Sequence, residues 1–260
     1  MIFCTCPPLR VADSSSATAA IASASKGIRR LLARIEPVPL ARPAIVLHSP
    51  AHRGLARMRQ HRQAILFILS GPSGAGKDSV ILGLRATHPD LHYAITTTTR
   101  PQRPGEVEGV SYYFVSKHEY DRLADHGELL APANVHGHWY GAPLAPIRKA
   151  LGEGQDVLLK IDVQGAMQVR RRLPQSACIF LTTPTFEDLV ARLVERHTES
   201  KEDLERRIQD AHFEMAQMPQ DDHCVINRRD DLTAAVTGIS CIISAERLRI
   251  HRQPISFDTR

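Results

Sequence analysis

The residues from Gly71 to Ser79, G-P-S-G-A-G-K-D-S, have the types and spacing needed to hold phosphate. They fit the P-loop pattern G-x-x-x-x-G-K, with an apolar segment before it and a helical pattern after it. Gly71, Gly74 and Gly76, interleaved with Pro72, Ser73 and Ala75, let the backbone wrap so that N–H groups point inward at phosphate oxygens. The N-terminus of the following helix adds its positive end. Lys77 then reaches the β- and γ-phosphates of a nucleoside triphosphate and follows the charge as it moves. The position after Lys77 usually carries Ser or Thr, whose hydroxyl coordinates Mg²⁺; here it is Asp78, followed by Ser79. A carboxylate is a hard oxygen ligand. Either Asp78 therefore takes the metal, directly or through water, or Ser79 supplies the hydroxyl.

A P-loop fixes only nucleotide binding, so the second substrate has to be read elsewhere. In T-T-T-T-R-P-Q-R-P-G-E-V-E-G-V-S-Y-Y-F-V-S (96–116), Arg100 and Arg103 can present two guanidinium forks to one phosphate. Glu106 is placed to orient one of them, and Tyr112 to add a phenolic donor.

The elements that must position these groups follow from hydrophobic patterning. A-I-L-F-I-L-S (64–70) is a continuous apolar run, as expected for a parallel strand covered on both faces. D-V-L-L-K-I-D (156–162) and A-C-I-F-L-T-T (177–183) predict two more such strands, and C-V-I-N (224–227) a short one. Helices are expected over the stretch after Lys77, over 184–197 with proline in the first turn, over 201–218 and over 233–250. Strands alternating with helices imply an α/β fold with a parallel sheet and right-handed crossovers.

Together with G-H-W-Y-G (137–141) and D-V-L-L-K-I-D-V-Q-G-A-M-Q-V-R (156–170), these motifs resemble those of guanylate kinases, over about residues 64 to 250. The resemblance implies a P-loop NTPase fold of the nucleoside-monophosphate kinase type: a parallel sheet core, a small GMP-binding domain at about 95–147 and a helical lid at about 192–210. The whole kinase-like domain would span 58–253. It implies transfer of the γ-phosphoryl group of ATP, with Mg²⁺, to GMP or dGMP. Thr96, Arg100, Arg103, Tyr112 and Tyr140 would hold the GMP phosphate, and Asp162 matches an acid near the guanine and the metal. Arg192, Arg196 and Arg207 match arginines that close on the transferring group, and Asn227 a position near adenine. Such a lid delivers positive charge only when closed, which suits a transition state that spreads charge over the transferring oxygens.

Two departures bear on the base. The family's guanine-reading glutamate aligns with Ala131, and the Ser or Thr after Tyr-Gly is Ala142; Glu128, Asn134 or a water would have to substitute. The G-K-D-S sequence also occurs in ribose-bisphosphate phosphokinases, the runner-up reading, which lack the full arginine segment. A non-catalytic scaffold resembling the enzyme is disfavoured because Lys77 and the arginines are present.

Composition narrows the partners. The formal charge of +5 arises in the first 60 residues, which hold nine Lys and Arg against two acids. The remaining 200 hold 24 against 26, so nucleic acid is not an expected partner. No run of about 18 apolar residues suggests a membrane span. Five cysteines without C-x-x-C spacing fit a reducing, cytoplasmic setting. Residues 1–57, rich in Ser, Ala and Arg, read as a disordered extension, either an organellar transit segment or residues upstream of a true start at Met58. The thirteen histidines show no metal-binding spacing. The expected assembly is a monomer or homodimer.

Overall fold

The computed structural model describes residues 63–135, 137–195 and 201–257, so the expectations for the N-terminal extension and for Arg196 lie outside the described residues. The strands and helices run β1 (Leu66–Ser70), α1 (Lys77–Thr87), β2 (His92–Ala94), β3 (Thr97–Thr98), β4 (Tyr113–Phe114), α2 (Lys117–Asp125), β5 (Leu129–Val135), β6 (His138–Pro143) and α3 (Leu144–Gly152). They continue with β7 (Val157–Lys160), α4 (Val163–Arg172), β8 (Ala177–Thr182), α5 (Phe186–Val194), α6 (Lys201–Ala216), β9 (His223–Ile226) and α7 (Leu232–Arg247).

Five strands form a parallel sheet in the order β2-β7-β1-β8-β9, with the P-loop strand at its centre. Alternation along β1 sends Phe67 and Leu69 to one face and Leu66 and Ile68 to the other. Phe67 and Leu69 pack with Val80 and Leu84 of α1 and with Ile239 and Ile243 of α7. Leu66 and Ile68 pack with Ile147 of α3 and Val169 of α4. Both faces are thus covered by helices, which is why every residue of β1 is apolar except the last.

A second, four-stranded sheet in the order β4-β3-β6-β5 lies wholly within 97–143 and carries the arginine segment. Its longest pair, β5 with β6, has a register shift between Leu130 and Ala133. Ala131 falls in that shift with φ +51°, a left-handed conformation that few residues other than glycine adopt.

Two sequence expectations are corrected. Pro184 does not lie in the first turn of its helix: α5 begins at Phe186, after a capping box formed by Thr185 and Asp188. The capping bonds set the start, and proline merely precedes them. The same helix ends at Val194, with Glu195 as its C-cap. No described helix is long and apolar enough to cross a membrane.

Candidate functional site

The phosphate cradle is built where β1 gives way to α1. A Cβ on Gly71, at φ +135°, would lie 2.0 Å from the Leu181 carbonyl oxygen, so only glycine lets the loop pass this close to β8. Gly76, at φ +92°, abuts Asn227, whose side-chain amide donates to the Ala75 carbonyl at 2.8 Å. Lys77 folds back over the loop and donates to the Gly71 and Pro72 carbonyls at 2.7 and 3.0 Å. Burial pushes the Lys77 pKa down, partly offset by the negative charge of Glu214.

Helices α5 and α6 bring cations to this loop. Arg192, near the end of α5, donates to the Ala75 carbonyl at 3.4 Å and the Asn227 carbonyl at 2.8 Å. Arg207 of α6 donates to the Ser73 hydroxyl at 2.7 Å. From the same helix Glu214 accepts the Ser73 N–H at 3.3 Å, and burial raises its pKa to about 6. A small apolar cluster of Leu189, Leu193 and Ala211 holds the two helices together.

On the other side of the cleft, Arg100 is buried and makes a bidentate pair with Glu106, at 2.6 and 2.8 Å. Glu106 also accepts the Arg103 N–H at 2.8 Å, so one carboxylate fixes an arginine side chain and the backbone of a second. That bonding holds Glu106 below the ordinary carboxylate range and raises Arg100. The Arg100 guanidinium lies 5.0 Å from the centroid of Tyr112, and the Tyr112 and Tyr140 rings meet edge to face at 6.1 Å. The Arg103 side chain is exposed. Thr96 is buried and donates to the Lys160 carbonyl at 3.3 Å. Arg100, Glu106, Tyr112 and Tyr140 thus form one basic and phenolic cluster.

Asp162 caps α4, its carboxylate accepting the Gly165 N–H at 2.6 Å, and its charge reaches Lys77. Ala131 and Ala142 are both buried in the apolar cluster that contains Leu130 and Ile161. Of the polar residues considered as substitutes, Glu128 pairs with Arg122 at 3.5 Å and Asn134 accepts the Gly137 N–H at 3.1 Å.

Asp78 and Ser79 are both exposed in the first turn of α1. The Asp78 carboxylate points across the cleft and binds the Lys160 ammonium at 2.5 Å. An exposed carboxylate beside the phosphate loop is a donor of the hard-oxygen kind that Mg²⁺ takes, so the residues fit the metal.

Sequence reasoning missed two residues of this region, Lys160 and Glu214. Lys160 could have been found as a cation closing an otherwise apolar strand, two residues before Asp162. Glu214 gave no such signal, because acids on the polar side of a helix are common.

The guanylate kinase family model matches residues 63–246. A guanylate kinase of Chelativorans sp. (strain BNC1) is 41% identical over 194 residues, covering 74% of this chain and 88% of its own. One from Thermobifida fusca (strain YX) is 46% identical over 180 residues, covering 67% and 92%. The crystal structure of guanylate kinase from Anaplasma phagocytophilum superposes with a TM-score of 0.59 at 27% identity, over 73% of this chain and 89% of that one.

Proposed function

This chain belongs to the guanylate kinase family, and on that premise we propose that it transfers the γ-phosphoryl group of ATP to GMP or dGMP, giving ADP and the nucleoside diphosphate. The observation that carries the reading is the pairing of an intact P-loop with a separate arginine–tyrosine cluster across the cleft, one for each phosphate-bearing substrate. An oxygen of the GMP phosphate forms the new bond to phosphorus as the bond to the β-phosphate oxygen breaks and ADP leaves. Little covalent chemistry falls to the protein, so positioning and charge stabilisation account for the catalysis.

Each residue then has a place. The backbone of Gly71, Pro72, Ser73, Gly74, Ala75 and Gly76 wraps the ATP phosphates, and Lys77 stays with the γ-phosphate. Arg192 and Arg207 supply positive charge from the lid, joined by Arg196. Arg100 and Arg103, oriented by Glu106, hold the GMP phosphate with Tyr112, Tyr140 and Thr96. Asp162 faces the guanine side, and Asn227 braces the loop beneath the adenine side. Asp78, with Ser79 as the neighbouring hydroxyl, would hold Mg²⁺, which neutralises charge on the ATP phosphates when bound. In domain terms we assign 58–253 to the kinase, with 95–147 as the GMP-binding part and 192–210 as the lid. The small-molecule substrates fit a cytoplasmic enzyme acting as a monomer or homodimer.

The test is ADP release by the purified full chain with ATP and Mg²⁺, offered GMP, dGMP, AMP, UMP or ribose 1,5-bisphosphate, with Lys77→Ala as control. Preference for GMP and dGMP, lost in the control, is the expected result. Activity confined to the bisphosphate would transfer the chain to the other phosphokinase reading, and no ADP from any acceptor would end the kinase reading.

A further inference from the structure

Lys160 ends β7, in register beside Leu69 of β1, and so stands at the carboxyl edge where parallel sheets bind their ligands. Its side chain is 16% exposed and donates to Asp78 at 2.5 Å and to the Tyr112 hydroxyl at 3.2 Å. The ammonium also lies 4.7 Å from the Tyr112 ring centroid. Asp78 belongs to the ATP side of the cleft and Tyr112 to the acceptor side, beside Arg100. Lys160 therefore spans the two, and its charge is close enough to be felt by Lys77.

Asp78 and Tyr112 together hold the Lys160 pKa above its ordinary value in spite of its burial, but one of the two is open to solvent. Asp78 is 79% exposed, so solvent and salt screen its attraction for the ammonium. A phosphate dianion in the same place would return more, and two phosphates approaching one another need a cation between them.

We propose that Lys160 is a further catalytic cation of the acceptor site, its ammonium contacting the phosphate of bound GMP beside Arg100 and Tyr112. This rests on the guanylate kinase reading of the cleft. The bond to Asp78 is then the resting position of the ammonium, and the acceptor phosphate is its working partner. Lys160 and Lys77 divide the labour, one cation for the incoming acceptor and one for the transferring group.

Calorimetric titration of the full chain with GMP and with guanosine, in the absence of ATP and Mg²⁺, reads this contact directly. Phosphorylation of GMP by the same wild-type preparation is measured first, so failure of the kinase reading is seen separately. Lys160→Met should raise the Kd for GMP by about ten- to a hundredfold, the range for a lost charge-assisted hydrogen bond, and leave guanosine binding unchanged. The same loss should appear when Asp78→Ser is already present. Wild-type GMP affinity in Lys160→Met would overturn the proposal. A loss that vanishes in the Asp78→Ser background would also overturn it, because the lysine would then only neutralise that carboxylate. An equal loss for guanosine would overturn it as general damage to the site. Should Lys160→Met fail to fold, Lys160→Gln is measured against the same outcomes.

Discussion

Ser73 offers its N–H to Glu214 at 3.3 Å, and that N–H lies in a loop whose donors are shaped for phosphate oxygens. The Glu214 carboxylate thus competes for the cradle that ATP needs. Its pKa, raised from 4.5 to about 6 by burial, means that the fold favours the protonated form. That preference contributes fully below about pH 4.5 and is lost as pH rises through about 6. At neutral pH the group is an anion facing the site of a more highly charged anion. Glu214→Gln should therefore tighten ATP binding severalfold at pH 8 and change it little at pH 5. The ratio of wild-type to variant Kd, taken at each pH, removes the titration of ATP itself. A ratio that is the same at both values would rule the competition out. No sequence pattern announces Glu214, whereas Lys77 is legible at once because its role is fixed by spacing along the chain. Glu214 acquires its role only through the packing of α6 against the loop.

Elements hold the loop in shape as much as glycines do. The Ala75 carbonyl accepts from the Asn227 amide at 2.8 Å and from Arg192 at 3.4 Å, so β9 and α5 converge on one backbone oxygen of the P-loop. Asn227 is itself buried and fastened to the end of β8 by its N–H, which donates to the Thr182 carbonyl at 2.7 Å. Asn227→Ala removes one of two donors from that carbonyl, at a cost of about 0.5–1.5 kcal/mol. We expect the variant to lose that much in denaturant unfolding and to bind ATP more weakly, with GMP affinity within about twofold of wild type. Weakened GMP binding of the same size would show that the brace serves the whole cleft and not the loop alone. The parallel strands around this brace were legible because buried strands leave unbroken apolar runs such as L-F-I-L-S. The two-residue strands β3 and β4 were not, being too short to show any period, and they form only because β6 pairs with β3 and lines it up against β4. The left-handed turn at Ala131 was equally hidden, since an alanine gives no sign of positive φ.

Across the molecule, charge closes the parallel sheet at the end of the chain. Asp156, 1% exposed and just before β7, accepts the Ile65 N–H at 2.9 Å and the Arg247 Nε–H at 2.8 Å. Arg247, at the end of α7, also reaches Asp90 at 2.6 Å, so one guanidinium joins the last helix to the loop before β2 and to β7. Its neighbour Glu246, 6% exposed, accepts from His223 of β9 at 3.0 Å and from Arg252 beyond the helix. The start of the described chain, the sheet and the closing helix thus meet at a buried ionic network, at the opposite end of β7 from Lys160. Sequence patterning placed α7 on the sheet but could not reveal this network, because Asp156 and Arg247 lie 91 residues apart. Arg247→Met keeps most of the side-chain volume and takes from the buried Asp156 carboxylate one charge-assisted hydrogen bond. Losing a hydrogen bond to a charged group costs about 1.5–3 kcal/mol. Urea unfolding should show a loss of that order while GMP phosphorylation at 25 °C persists. Adding Asp156→Asn removes the buried negative charge and keeps an acceptor for the Ile65 N–H, so the double variant should regain part of the stability. If the double variant is as unstable as the two single losses combined, the guanidinium acts through its contacts with Asp90 and the helix end, and the buried ion pair is incidental.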